Sequence, residues 1–517
     1  MASTNHLVDE VKILVCTWNV GNKSPKASEL EHWLPSKGGD CDVIVVGSQE
    51  NSFANMRRKS TIVATEGDED DDDDDDDLRE QTSGLTPASR ASDVPSPSTP
   101  RIKRRSKNGG SNHGGNNRAS IGADSAMHEW DHMCADRLGT DWEVVAHICL
   151  REMRLTVYCT SDLASTSVRH VATASAATGI AGVVGNKGGL VVRLDIGHTA
   201  IAFCSCHLAA HEGVNHHQSR NAMCKKVLQK TSGGKVASAR SRRELDAAHA
   251  VDHIFWLGDL NYRIDLSLTG GSYESKAAHW RAVSDMVEAE KWEELMEADG
   301  LRAARRAGEA FHGFSEGEMA FAPTFKVQRQ PGVAYKTQRT PSYCDRILWK
   351  SQAPLQAKLK QLSLASVPAV STSDHKPVVS TFRVSQSPRI TRTSDVQTTI
   401  RITNLRVCDI LAADIDGTSD PFCRFYTHPE GLLKGARAPE TSVKWFVQAG
   451  EQAGHTGTAC CAGLHPHISR VRNTVGEAIS LSSTSTQCDW KDSQTPTLYA
   501  HAPIEALRNA VLIIAVF

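Results

Sequence analysis

Five apolar runs in this 517-residue chain end in, or are preceded by, groups that bind metal ions or move protons. Asn19 closes VKILVCTWN, Gln49 and Glu50 close CDVIVVGSQE, and His207 closes TAIAFCSCH. Asp259 and Asn261 close VDHIFWLGDLN, and Asp374–His375 stand just before KPVVSTFRV. Carboxylate, amide and imidazole groups without a thiolate form the ligand set of a hard divalent ion such as Mg²⁺. Taken singly, each is most simply a solvated loop residue. Five together suggest strands aiming polar groups at one rim, as rigid scaffolds do when they present a site. Asp259 and Asn261, two residues apart, fall on one face of a strand. Cys344 invites a nucleophile reading, but CDRILW is strand-like and offers no loop to cradle a phosphate.

These residues need a scaffold, and the runs themselves describe one. Strand-like segments recur at 11–20, 41–50, 142–150, 153–160, 189–197, 199–208, 251–261, 344–350 and 376–384. Many are continuously apolar, as strands covered on both faces should be. Links as short as Arg151–Glu152 and His198 force antiparallel hairpins. Helices fit at 219–230, 240–250 and 278–298. Antiparallel strands interleaved with helices predict a layered α/β sandwich rather than a Rossmann sheet or a barrel.

Composition narrows the setting. Apolar residues make up 40% and charged residues 23%, ordinary for a chain with ample core material. Lys plus Arg (58) nearly cancels Asp plus Glu (60), so charge alone names no polyanionic partner, and no nucleic acid is expected. About 55–126 reads as a disordered insertion: an acidic run, a Ser/Pro stretch, the basic RIKRRSK and a Gly/Asn stretch. The 14 cysteines are scattered, as reduced thiols would be. The N-terminus lacks the pattern of a secretory signal, and no run approaches the ~20 apolar residues of a membrane helix. A cytoplasmic chain is expected.

FWLGDLNYRI (255–264) and TPSYCDRILWK (340–350) resemble the two signature motifs of the inositol polyphosphate 5-phosphatases. GDxN alone would indicate only the wider magnesium-dependent endonuclease/exonuclease/phosphatase superfamily; the second motif discriminates. TWNVGN (17–22), GNKGG (185–189), HLAAH (207–211), RN (220–221), APTFK (322–326) and SDHKPV (373–378) follow in the family order. The resemblance implies a DNase I-like sandwich over 1–384 that removes a 5-phosphate by in-line attack of water. It implies Mg²⁺ on Glu50, with Asn19 beside it and Asp374 on the metal side. Asp259 would orient the water, and Asn261 would contact metal or phosphate. His375 and Asp345 would form a charged pair at the reacting oxygens, and His207 would touch the scissile phosphate. Lys187, Lys326, Arg339, Tyr335 and Lys336 match cationic or phenolic positions that grip neighbouring phosphates, although VQRQPGVAYKTQRT departs from the family pattern and leaves the 4-phosphate requirement open. Arg346 is expected to brace the site through carboxylates, and Trp256 and Tyr262 to pack. Phosphoinositide lipids, such as phosphatidylinositol 4,5-bisphosphate or 3,4,5-trisphosphate, and soluble inositol phosphates are the implied partners. A superfamily nuclease or phosphodiesterase, and an inactive membrane-docking scaffold, are the alternatives.

After a linker at 385–397, TTIRITNLRVCDILAADIDGTSDPFCRFYTH (398–428) resembles the opening of a C2 domain, with peripheral membrane association implied. Asp414 and Asp420 flank a Gly-Thr-Ser turn as in a first Ca²⁺ loop; a solvated acidic turn is the alternative. The resemblance describes an incomplete all-β C2-like sandwich over 398–517. The later loop of carboxylates would follow Phe517, and about 450–487 matches no C2 strand.

Overall fold

The computed structural model describes residues 9–52, 129–178, 187–232 and 246–389. Beyond these it describes the short stretches 398–401, 405–407, 423–428, 432–433, 439–440, 467–469, 488–490, 496–502, 507 and 511–516. The expected insertion at 55–126 lies outside the described residues, as do Asp414, Asp420 and most of the 385–397 linker.

The apolar runs form two six-stranded sheets. The first contains β1 (Glu10–Asn19), β2 (Val43–Gln49), β3 (Trp142–Leu150), β4 (Met153–Thr160), β11 (Leu359–Ser366) and β12 (Val378–Ser385), in the order β11-β12-β1-β2-β4-β3. The second contains β5 (Val168–Ala177), β6 (Gly188–Ile196), β7 (Thr199–His207), β8 (His253–Asp259), β9 (Ser315–Glu316) and β10 (Asp345–Ser351), in the order β5-β6-β7-β8-β10-β9. Strands β3–β4 and β6–β7 are the antiparallel hairpins that their short links require. In each sheet one central pair is parallel, β1 with β2 and β7 with β8.

The inner faces of both sheets share one core, in which Val15, Val45, Phe203, Phe255, Leu257 and Phe382 are all buried. Helices cover the outer faces. Helix α1 (Ala27–Leu30) and helix α2 (Glu129–Leu138) bring Leu30 and Trp130 onto the outer face of the first sheet, where Trp18, Trp33 and Trp130 pack edge-on and stacked. The short helix α3 (Ser161–Thr166) follows β4. Helix α4 (Val214–Ser232) covers the second sheet through Met223, Cys224 and Val227. Helices α5 (Lys276–Glu288), α6 (Trp292–Glu297) and α7 (Gly300–Arg306) complete that side. The layered α/β sandwich expected from the run spacing is what forms.

Three expectations are corrected. The single helix at 278–298 is two, because the chain turns at Ala289–Lys291 with Glu290 at φ 53°. Of the helix at 240–250, residues 246–250 form a turn, and 240–245 lie outside the described residues. The edge strand β5 and the strand β11 were not anticipated, because VRHVATASAA and LKQLSLAS lack continuous apolar character and leave several side chains exposed.

One glycine is dictated by close approach. Gly258 has φ +137°, and a Cβ there would lie 2.0 Å from the Cys206 carbonyl oxygen on β7. Asp259 therefore follows a residue that only glycine fills without displacing the adjacent strand.

The described strands of the C-terminal segment pair antiparallel. They are β13 (Thr398–Ile400) with β18 (Leu498–Ala500), β14 (Leu405–Val407) with β17 (Cys488–Trp490), and β19 (Val511–Val516) between β15 (Cys423–His428) and β16 (His467–Ser469). Strand β16 lies inside the 450–487 stretch that matched no C2 strand. His428 Nε2 lies 2.5 Å from Asp252 Oδ1, a buried contact at the end of β8 remote from Asp259.

Candidate active site

Strand register assembles the site. Asn19 and Gln49 are opposite one another at the ends of the parallel pair β1–β2. On the other sheet His207, Asp259 and Asp345 form one rung across β7, β8 and β10. Lys187 precedes Gly188, which pairs with His207. The sheets then meet at one carboxylate. Asn19 Nδ2 donates to Asp259 Oδ2 at 3.0 Å, while His207 Nε2 lies 3.3 Å and His375 Nε2 3.9 Å from the same oxygen. Asp259 Oδ1 accepts from the Asn261 backbone N–H at 3.0 Å. Burial acts to raise the Asp259 pKa, but His375, His207 and Lys187 outweigh it and hold the carboxyl far below the usual range.

His375 Nδ1 lies 2.9 Å from Asp345 Oδ2, which also accepts from the Thr324 hydroxyl at 2.7 Å. Burial works against the charged imidazole; Asp345 and Asp259 outweigh it and raise its pKa to about 10. Burial pushes the Asp345 carboxyl up as well, with the Asp259 charge adding to it. We assign the pair as imidazolium and carboxylate, because both donors face Asp345 Oδ2 and a second carboxylate faces the other ring nitrogen. The Phe325 ring lies 4.5 Å from the His375 ring, and the Arg263 guanidinium stands 4.5 Å over the same phenyl.

Glu50 follows β2 at φ 51°, a left-handed turn held by its carbonyl accepting from the Asn22 N–H at 2.9 Å. Its carboxylate is 28% exposed, with Oε1 3.8 Å from His207 Nε2. Lys187 Nζ lies 2.5 Å from that same nitrogen; burial lowers its pKa, with Asp259 and Glu50 opposing. Asp374 Oδ1 is 3.8 Å from Arg329 Nη2.

The donor set fits a hard cation: Glu50 and Asp259 both present carboxylate oxygens near His207 Nε2, and no described thiol is among them. Asp259, Asp345 and His375 also bring ligand atoms within 4.8 Å of one another. Two of those three are already joined as the His375–Asp345 pair, so Glu50 is the better anchor for a metal. Asn19 Oδ1 accepts from the Gly21 N–H at 3.0 Å, and this limits its part in a metal shell.

The remaining expected residues fall on the 323–340 loop and nearby. The Lys336 N–H donates to the Lys326 carbonyl at 2.9 Å, and Val327 bridges to Tyr335, so these residues share one short antiparallel turn. The Tyr335 hydroxyl donates to the Pro323 carbonyl at 2.8 Å, which commits it to the backbone. Lys326, Lys336 and Arg339 are half-buried. Arg346 meets Asp299 at 2.9 Å and Glu316 at 2.7 Å, the internal brace that was expected. Trp256 packs against Phe311 and Phe314, and the Tyr262 hydroxyl donates to Asn221 Oδ1 at 2.5 Å.

Arg263 was missed as an individual residue. It is buried, its Nη2 donates to Asn261 Oδ1 at 2.6 Å, and its Nη1 has no partner among the described residues. The signal was present in GDLNYRI as a charged residue beside the motif, but β8 ends at Asp259 and Asn261 lies beyond it at φ 55°, so the single strand face expected for Asp259 and Asn261 does not form.

The sequence pattern of endonuclease/exonuclease/phosphatase family 2 matches residues 16–381. The chain belongs to this family. Type I inositol polyphosphate 5-phosphatase 8 of Arabidopsis thaliana is 28% identical over 389 residues, covering 72% of this chain and 71% of that protein. Type I inositol polyphosphate 5-phosphatase 5 of the same plant is 34% identical over 225 residues, 42% of this chain and 39% of the relative. Phosphatidylinositol 3,4,5-trisphosphate 5-phosphatase 1 of Rattus norvegicus is 33% identical over 224 residues, 42% and 17% of the two chains. The match thus spans well under half the length of the latter two relatives. A crystal structure of a synaptojanin inositol polyphosphate 5-phosphatase domain with inositol (1,4)-bisphosphate and calcium has 22% identity and a TM-score of 0.47, covering 72% of this chain and 84% of that one. The resemblance drawn from the signature motifs is borne out by the family and its relatives.

Proposed function

We propose that this member of the family is a Mg²⁺-dependent phosphomonoesterase that removes the 5-phosphate of phosphoinositides or soluble inositol polyphosphates by in-line attack of water. The convergence of Asn19, His207 and His375 on Asp259 Oδ2 carries the reading. A carboxylate kept ionised by three neighbours can orient a water and accept its proton as the bond to phosphorus forms. The His375 imidazolium, charged through Asp345, and the unpartnered Arg263 Nη1 are the groups to meet negative charge growing on the phosphoryl oxygens. Lys187 supplies a further cationic contact beside His207, and Lys326, Lys336 and Arg339 suit the phosphates flanking the one removed. Glu50, with Asn19 and Asp374 nearby, would hold the Mg²⁺, which neutralises phosphate charge when bound.

The C2-like reading after 397, its peripheral membrane role in a cytoplasmic enzyme and Ca²⁺ at Asp414 and Asp420 rest on the motif resemblance alone. The test is phosphate release by the full chain from a panel of soluble inositol phosphates and phosphoinositide vesicles, with and without Mg²⁺. We expect metal-dependent release that Asp259→Ala abolishes. Release no greater than that of Asp259→Ala on every substrate would defeat the enzyme reading and leave the scaffold. Nicking of abasic DNA at a comparable rate would promote the nuclease.

A further inference from the structure

Glu29 is a carboxylate buried to 4% exposure in the four-residue helix α1, far in sequence from Asp374 and His375. Its Oε2 accepts from the Lys26 N–H at 3.1 Å, an ordinary helix-start contact. The other bonds reach across the fold. Oε1 accepts from the Ser371 N–H at 2.6 Å, the Ser371 hydroxyl at 2.9 Å and the Thr372 N–H at 3.0 Å, and Oε2 accepts from the Thr372 hydroxyl. All five partners are donors, so the position accepts only a group without hydrogens on its oxygens, which is an ionised carboxylate. Burial pushes the Glu29 carboxyl up, and the bonds from Thr372, Ser371 and Lys26 outweigh it and leave it below the usual range.

The gripped turn leads directly to the site. The Ser373 hydroxyl donates to the Asn19 carbonyl at 2.7 Å and accepts from the His375 N–H at 3.1 Å. Arg329 Nη1 donates to the Thr372 carbonyl at 2.6 Å, and Lys376 Nζ to the Val370 carbonyl at 2.5 Å. Ser373 and Arg329 therefore tie the turn from one side, and Glu29 holds its first two residues, Ser371 and Thr372, where no strand pairing does.

We propose that Glu29 is a positioning residue of the reaction, fixing the 371–375 turn so that His375 is placed against Asp259. This role rests on the phosphatase reading above. It differs from a merely structural one in what it changes: Glu29 contacts none of the cationic substrate-binding residues, so turnover should fall while substrate affinity stays. Displacement of a reacting group by about 1 Å can cost on the order of 100-fold in rate.

The experiment compares the full-length wild type, Glu29→Gln and Thr372→Val in kcat and KM for phosphate release, with thermal melts of each and Asp259→Ala as the silent control. Glu29→Gln keeps the size but turns an N–H₂ toward the Thr372 hydroxyl or the Ser371 amide. We expect kcat about 10- to 100-fold lower with KM within about twofold. Thr372→Val removes one charged hydrogen bond without changing volume, and about a tenfold fall in kcat is expected, again at constant KM. Should Glu29→Gln fail to fold, Thr372→Val decides. Folded variants with wild-type kcat, or a raised KM with unchanged kcat, would overturn this role alone. Activity lost only in proportion to folded protein would overturn it too. A wild type silent on the whole panel would overturn the phosphatase reading and this role with it.

Discussion

Replacing Asp345 with asparagine removes one charge and almost no volume from a fully buried position. Asp345 Oδ2 receives both the Thr324 hydroxyl and His375 Nδ1, and an asparagine oxygen can keep both, with its N–H₂ in the place of Oδ1, which has no partner among the described residues; what is lost is the charge. The raised pKa of His375, from 6.5 to about 10, corresponds to about 5 kcal/mol at 1.36 kcal/mol per tenfold. Burial opposes this, and Asp345 is the larger of the two carboxylate contributions that overcome it, ahead of Asp259. Loss of Asp345 should therefore bring the His375 pKa down from that value.

Activity that needs the imidazolium is present below that pKa and is lost as pH rises through it. The wild type should hold its rate until pH approaches about 10, while Asp345→Asn should begin to fail at clearly lower pH. At neutral pH the uncharged partner no longer fixes the protonation of the ring, and kcat should fall by about 10²–10⁴, as when a buried carboxylate partner of a catalytic histidine is neutralised. The assay is initial phosphate release from pH 5 to 10.5 at saturating substrate, with melts to confirm folding at each end. The pair also affects stability in the same sense. Because the folded pKa of His375 lies above the unfolded one, its contribution is complete below about 6.5 and fades as pH rises through about 10. A variant whose alkaline limb coincides with that of the wild type would refute the charge coupling, even if kcat were reduced.

Two further outcomes follow from the scaffold. Gly258→Ala places a Cβ 2.0 Å from the Cys206 carbonyl at φ +137°, and should cost about 3 kcal/mol or more in urea unfolding; an unchanged midpoint would mean the strands do not approach this closely. Arg346→Met leaves Asp299 buried without its cation, while Glu316 keeps Arg305 at 3.1 Å, and should cost about 3–5 kcal/mol, with part regained on adding Asp299→Asn; a neutral single variant would count against the internal brace.

The strands and the site residues were legible for the same reason: each polar group ends a continuous apolar run, and such runs have few ways to be buried. The pairing was not legible. Nothing in the runs around Asn19 and Asp259 says that their side chains meet across two sheets at 3.0 Å, because that depends on how the sheets stack. Strands β5 and β11 escaped notice because their half-exposed positions tolerate polar residues. The 278–298 pattern continued across a turn at Glu290 because helices α5 and α6 bury Val283 and Leu295 in one cluster. Glu29 carried no signal, since its partners lie 342 and 343 residues further along the chain.

The pairing of β1 with β12 has a consequence for synthesis. Glu10 lies opposite Ser385, so the first strand of the sandwich takes one of its two neighbours from its last, 375 residues later. At about 5–20 residues per second, a ribosome leaves β1 with that edge open for roughly 20–75 s. Asp345 and His375 emerge only near the end of this interval. Throughout it, Val11, Ile13 and Val15 wait for Phe382 and Val384, and a nascent chain stalled before 378 would present an unpaired apolar strand to whatever chaperone attends it.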